Sequence, residues 1–164
     1  RSTAAHNTVT IGNSDSSEVW GGFRVARRAR PVSVESGIRN GEPYITASHD
    51  GYRRLAGQPM HERDICVGDN VVRWTDRISS GANHFIVGRL PLHPDIGLQM
   101  IEPHRWQLSL PNGMHLELHR ENGAPLEVEE GWYASEFGKR QQRSVLTWRV
   151  TGTNVEERFS ISAN

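Results

Sequence analysis

Trp106-Gln107-Leu108-Ser109-Leu110, Pro111-Asn112-Gly113 and Met114-His115-Leu116-Glu117-Leu118 form one continuous stretch in which two alternating runs flank a turn. Successive side chains of a strand point to opposite faces. Trp106, Leu108 and Leu110 therefore share one face of the first run, and Met114, Leu116 and Leu118 share one face of the second. Pro-Asn-Gly between them supplies a fixed φ, a residue that tolerates the left-handed region and a residue that prefers it. The stretch predicts a β-hairpin with one apolar and one wet face.

The same period of two recurs outward in both directions. Val9 and Ile11 alternate with Thr8 and Thr10, Phe23 and Val25 flank Arg24, and Val32 and Val34 flank Ser33. Val72, Trp74 and Ile78 share a face whose reverse carries Val71, Arg73, Thr75 and Arg77, and Asp76 is the exception on the apolar side. Further strands are expected over residues 44–49, 62–67, 85–90, 98–101, 126–128, 145–150 and 159–161. No window of helical length holds a 3.6-residue period. The pattern predicts an all-β chain, a large antiparallel two-sheet β-sandwich built from roughly a dozen short strands punctuated by Gly, Pro and Asn.

At 164 residues the chain has the length of one domain, and residues 1–164 are read as a single β-sandwich. Nineteen basic and nineteen acidic residues cancel, which argues against a nucleic-acid arm or a membrane-surface segment. No apolar run approaches the ~20 residues that span a bilayer. Cys66 is the sole cysteine, so an intrachain disulfide is excluded. Of the basic residues only Lys139 is a lysine. Arginine's planar fork suits carboxylate and sulfate groups, although genomic base composition produces the same bias.

Several groups carry chemistry. His6 followed by Asn7 pairs an imidazole able to bind zinc with an amide able to orient a sugar hydroxyl or carboxylate. Spacing alone supplies no second ligand nearby. His115 and His119 lie on one strand face but ~13 Å apart, too far to share an ion, and with Glu117 they read as a solvated polar face. Arg24, Arg27, Arg28 and Arg30 form either a basic rim for a polyanion or a charged strand edge, with Arg28 and Arg30 on one strand face. Trp20 beside Gly21-Gly22 is either core or an aromatic surface for a sugar ring. Ser48-His49-Asp50 holds the residue types of a catalytic triad, but neighbouring strand positions face opposite ways and cannot relay a proton. His93-Pro94-Asp95 reads as a turn.

Arg1-Ser2-Thr3-Ala4-Ala5-His6-Asn7-Thr8-Val9, with Val19-Trp20-Gly21-Gly22-Phe23-Arg24-Val25 after it, resembles the beginning of the C-terminal β-sandwich portion of heparinase II/III-like polysaccharide lyases. Looser likenesses continue through the His49-Asp50-Gly51-Tyr52 turn, the basic strand from His61, Asp76, and Gly131 to Gly138. The resemblance implies a chain that is the C-terminal part of a larger protein, joined to an N-terminal α/α toroid with an acidic polysaccharide in the cleft between them. It also implies cleavage of a uronic-acid polymer by β-elimination, in which a base removes the C5 proton and an acid protonates the leaving oxygen. His6 occupies the position of a zinc ligand, and the family's other ligands, a histidine and an aspartate, fall upstream of Arg1. Zinc is therefore expected in the full-length parent only. The toroid's Asn, His and Tyr have no counterpart here, so no catalytic residue is assigned and the stretch alone is expected to be inactive. Asn7, Trp20, Arg24 and Arg28 are the expected substrate contacts. The expected partners are the polysaccharide and the toroid, with neither nucleic acid nor membrane, in the periplasm or outside the cell. The alternative is a carbohydrate-binding or structural β-sandwich without chemistry.

Overall fold

Alternation becomes strand wherever a neighbour is present to take the backbone hydrogen bonds. A computed structural model describes residues 2–21 and 24–163. After a short 3-10 turn, Thr3–Ala5, the described residues form ten strands: β1 Thr8–Ile11, β2 Pro31–Arg39, β3 Glu42–His49, β4 Met60–Val67, β5 Val71–Pro91, β6 Gly97–Glu102, β7 Arg105–Ser109, β8 His115–Arg120, β9 Glu127–Tyr133 and β10 Gln141–Ala163. All the strand pairings are antiparallel. The hairpin around Pro111-Asn112-Gly113 forms as β7 and β8, with Trp106 opposite Leu118 and Leu108 opposite Leu116.

The expected short strands at 72–78 and 85–90 are one strand of 21 residues, β5. Those at 145–150 and 159–161 are likewise one strand of 23 residues, β10. An extended strand of β5's length reaches roughly 70 Å, so both must bend to stay within a small domain. They bend together, where the β5–β10 register slips between Gly152 and Asn154. A slip of this kind adds unpaired residues and redirects a strand. Before the corner, β5 residues 71–79 lie between β4 and the last part of β10, in an eight-strand layer ordered β2-β3-β4-β5-β10-β8-β7-β6. Beyond it, β5 residues 86–91 pair with the first part of β10, with β1 and β9 as outer neighbours. The sandwich's two layers are thus continuous through β5 and β10.

The core fills the space between them. Val9, Ile11, Ile86, Leu90, Leu146 and Trp148 of the smaller layer cluster with Ile78, Phe159, Leu118, Trp106 and Leu108 of the larger. Trp74 stacks on Phe159 at 4.9 Å between ring centres. Gly88 faces Val9 on one side and Trp148 on the other. A Cβ at Gly88 would lie 2.0 Å from Trp148 Cε2, so only glycine leaves room for the indole. Gly88→Ala is expected to displace Trp148 and lower stability by about 1–3 kcal/mol, as overpacking does, read from the denaturant midpoint. A midpoint unchanged from the parent sequence would contradict this packing.

Outward, the larger layer is polar, with Arg73 paired to Glu42 and Arg77 to Glu62 and Glu156. Inward it is apolar and wider than the layer covering it. Val32, Val34, Ile38, Ile45 and Val67 on the β2-β3-β4 flank remain 43–68% exposed. Two ion pairs sit inside the sandwich, Arg63 with Asp76 and Arg120 with Glu157, and their carboxylates stand opposite each other where β5 pairs with β10.

Candidate functional site

The site begins where the chain enters the smaller layer. Thr3 is buried, its N–H donates to Asp15 Oδ1 at 2.6 Å, and its hydroxyl accepts from the Ser16 N–H at 2.8 Å, which fixes the opening turn to the following loop. The His6 N–H then donates to Thr3 O at 3.1 Å, and the Thr8 N–H donates to His6 O at 3.0 Å. Asn7 O and Oδ1 both accept from Arg63 Nη1, at 2.9 and 3.2 Å. Ala5 O accepts from Arg143 Nη2 at 3.0 Å. The His6 side chain is exposed and, among the described residues, has no hydrogen-bond partner.

Arg63 is in turn fixed from beneath. Its Nε and Nη2 donate to the two oxygens of Asp76, each at 2.8 Å, a bidentate fork that favours one guanidinium orientation. Asp76 also accepts from His61 Nε2 at 2.7 Å, and His61 Nδ1 lies 3.3 Å from His49 Nε2. The Gly51 N–H donates to His49 Nδ1 at 3.2 Å. That bond assigns the proton of a neutral His49 to Nε2, which donates to His61 Nδ1 and leaves the His61 Nε2–H for Asp76. Burial pushes His49 down to about 4, and neighbouring His61 pushes the same way. Burial works against the Asp76 carboxylate, but hydrogen bonds from His61 and Arg63 outweigh it and hold the group below the usual carboxylate range.

A furrow of three adjoining hollows opens beside this network. The first, about 390 Å³, is lined by Thr8, Arg30, Ser48, His49, His61 and Arg63 among others. The second, about 520 Å³, shares Ala29 and Arg30 with it and adds Arg27, Arg28 and Asp50. The third, about 480 Å³, shares Arg27 and carries Trp20, Glu18 and Arg54. Arg54 is committed to structure through the backbone carbonyls of Asp15, Ser16 and Gly51, and Arg27 approaches Glu18. Among the described residues no carboxylate lies within ion-pair distance of Arg24, Arg28 or Arg30. The furrow therefore carries unneutralised guanidinium charge in Arg28 and Arg30 and an exposed indole at one end, groups suited to a carboxylated or sulfated sugar chain. Among the described residues no three His, Cys, Asp or Glu side chains converge on a metal-sized point.

The model of the heparinase II/III-like C-terminal family matches residues 1–162. The chain belongs to that family. No curated protein matches the sequence. Among solved structures, the chain is similar to the heparan sulfate lyase HepC of Pedobacter heparinus at 17% identity and a TM-score of 0.77, covering 99% of this chain and 24% of that one. It is also similar to a heparinase III at 14% identity and a TM-score of 0.74, again covering 99% and 24%. These likenesses establish a shared fold, and the chain spans about a quarter of the length of those lyases.

Within this heparinase-like sandwich the expected site residues fall unevenly. His6 and Asn7 lie together beside Arg63, and Arg28 lies in the middle hollow. Trp20 is 61% exposed at the far end, so it is not core. Arg24 is exposed, its carbonyl accepts from the Trp20 N–H, and it lines none of the three hollows. The expected strand around Arg24 is replaced by a single bridge between Val19 and Val25, while Gly22 and Phe23 lie outside the described residues, as does Arg1. Arg28 and Arg30 do not share a strand face, because residues 26–30 have no ladder partner and run irregularly. Ser48, His49 and Asp50 go separate ways, to Ser33, His61 and the Arg30 N–H. His115 lies against Ser109, and Glu117 pairs with Arg105, which leaves that face polar and solvated. Sequence reasoning missed Arg63, His61 and Arg143. The signal for the first two was Asp76, a charge on an apolar face that demands partners.

Proposed function

We propose that this chain is the C-terminal β-sandwich of a polysaccharide lyase that cleaves a uronic-acid-containing polymer by β-elimination. The observation that carries this reading is the furrow that runs from Arg63 past Arg30 and Arg28 to Trp20 in a chain of the heparinase II/III-like family. Arg28 and Trp20 contact the polymer within the furrow, and Asn7 and Arg24, which line none of its three hollows, do so from beside it. Guanidinium groups neutralise uronate or sulfate, and the indole stacks on a sugar ring. The proton-transfer groups belong to an N-terminal α/α toroid, and the sandwich closes one side of the cleft. The uncovered apolar flank of β2, β3 and β4 offers that toroid a surface to pack on, since a wide exposed apolar patch marks an interaction site. No helix among the described residues is long and apolar enough to cross a membrane. A polymeric substrate places the enzyme in the periplasm or outside the cell, and neither nucleic acid nor membrane is a partner.

Zinc belongs to the same reading. His6 suits one coordination position because its backbone is held at both flanking carbonyls and its ring is free. A structural zinc takes four ligands, so the remaining ones come from the longer protein. A zinc held there by His6 would supply a fixed positive charge. The decisive experiment is ultraviolet detection of unsaturated uronate released by the full-length protein from a panel of acidic polysaccharides, with His6→Ala in parallel. Product that falls at least about tenfold in the variant, as loss of a metal-site group does, is expected. A folded full-length protein that releases none from any polymer would move the reading to a binding domain without chemistry.

A further inference from the structure

We propose that Asn40 is a site of spontaneous deamidation, and that its isoaspartyl product loosens the β2–β3 hairpin. Asparagine is a thermolabile residue, and its side chain is open to attack by the backbone nitrogen of the residue that follows. Glycine in that place has no Cβ to obstruct the approach. The sequence holds three such pairs, Asn40-Gly41, Asn112-Gly113 and Asn122-Gly123. All of these residues are exposed, so solvent access does not separate them. Hydrogen bonding does.

At Asn122 both ends of the carboxamide are held: Nδ2 donates to Glu156 O at 2.7 Å, and Oδ1 accepts from the Arg158 N–H at 2.8 Å. Gly123 is also packed, since a Cβ there would lie 2.5 Å from Arg120 Nη2. At Asn112, Oδ1 accepts from the Met114 N–H at 3.1 Å, and the attacking group, the Gly113 N–H, is engaged with Leu110 O at 3.0 Å. Asn40 differs in both respects. Among the described residues neither its carboxamide nor the Gly41 N–H has a hydrogen-bond partner. Gly41 also has open space where a Cβ would stand, so no packed neighbour opposes rotation of the Asn40-Gly41 peptide.

The reaction needs only water. The Gly41 nitrogen bonds to Asn40 Cγ as the Cγ–Nδ2 bond breaks, and Nδ2 leaves as ammonia with the proton from the Gly41 nitrogen. Water then opens the resulting cyclic imide. Attack at Cγ leaves aspartate, whereas attack at the main-chain carbonyl leaves isoaspartate, whose backbone runs through Cγ and is longer by a methylene. Asn40 and Gly41 are the whole of the turn between β2 and β3, with φ of 53° and 85°, the geometry that a two-residue hairpin loop requires. The lengthened backbone does not fit it. β2 is the edge strand of the larger layer and has only β3 as a ladder partner among the described residues. Its exposed Val32, Val34 and Ile38 then lose the turn that ties them to the sheet.

The test holds the full-length protein at mildly alkaline pH, folded and in urea, and follows the peptides carrying the three asparagines by mass and by isoaspartyl methyltransferase labelling. In the folded protein we expect product at Asn40 first and at Asn122 at least about tenfold more slowly, the delay imposed by two hydrogen bonds that must be given up. In urea that gap should close. In the modified fraction the amides of β2 should exchange hydrogen faster than in the unmodified one. A lead by Asn112 or Asn122 in the folded protein, or equal rates at all three, overturns the assignment. An Asn40 lead undiminished in urea overturns it too, because the neighbouring sequence and not the fold would then set the order. Unchanged exchange along β2 refutes the loosening of the hairpin.

Discussion

Arg120→Met is expected to destabilise the fold by about 3–5 kcal/mol, the range for removing one partner of a buried ion pair. Arg120 is 1% exposed, and its Nε and Nη2 both donate to Glu157 Oε2, at 3.0 and 2.7 Å. Methionine fills most of the volume but leaves the Glu157 carboxylate in the core without a cation. Glu157→Gln alongside Arg120→Met should recover much of the loss, since an uncharged amide is cheaper to bury. The pH dependence has a definite sign. Burial already raises Glu157 in the intact protein, against the pull of Arg120 and with the push of Asp76. A carboxyl raised in the folded state binds its proton more tightly there, so its favourable contribution is present at low pH and lost as pH rises through the folded value. Without Arg120 that value climbs further. The difference in stability between variant and wild type should therefore widen from acid toward neutral pH in denaturant titrations. A difference below about 1 kcal/mol at neutral pH, the scale of an exposed pair, would show that the pair is not the buried unit described.

Asp76→Ala is expected to be of similar size, about 3–5 kcal/mol by the same argument, and to disturb the site as well. Asp76 is 1% exposed and holds His61 and both inner nitrogens of the Arg63 fork. Its removal strands a buried imidazole and frees the guanidinium that anchors Asn7. The wild-type carboxyl is held low, so its contribution is fully present above the ordinary aspartate value and is lost as pH falls through the depressed one. His49 adds a second acid limb at higher pH. The unfolded chain takes up a proton near 6.5 and the folded one only near 4, so stability declines as pH drops through that window. Asp76→Ala should flatten the lower limb and leave the His49 window in place, as read from midpoints across the acid range. A lower limb identical to wild type would remove Asp76 from this role.

Much of the fold is legible because burial on one face imposes a period of two. Trp106 to Leu118 reads correctly as a hairpin, and Trp74 and Ile78 do face the core. The two long strands are not legible. Ser79-Ser80-Gly81-Ala82 and Thr151-Gly152-Thr153-Asn154 carry turn chemistry, and the chain uses it for a corner within β5 and β10 rather than for a break. Residues around Arg24 fail in the opposite way: they alternate like a strand, but their pairing stops at one bridge, Val25 with Val19, and the few backbone bonds beside it, too short a ladder to make a strand. At the site, His6 is visible only through resemblance, because the groups that hold it come from β4 and β10 and contact between distant strands leaves no local pattern. Asp76 alone announces the network, by standing among apolar residues.

On the proposed function, the furrow holds an acidic polysaccharide chain. The most direct measurement is calorimetric titration of the full-length protein with uronate oligosaccharides and with neutral oligosaccharides of equal length, at low and high salt, comparing wild type with an Arg28→Gln/Arg30→Gln variant. The acidic series alone should bind, salt should weaken it, and the double variant should weaken it about tenfold or more, the loss expected of two charge-assisted contacts. Equal affinity for neutral and acidic chains, or acidic binding untouched by the double variant, would contradict that reading.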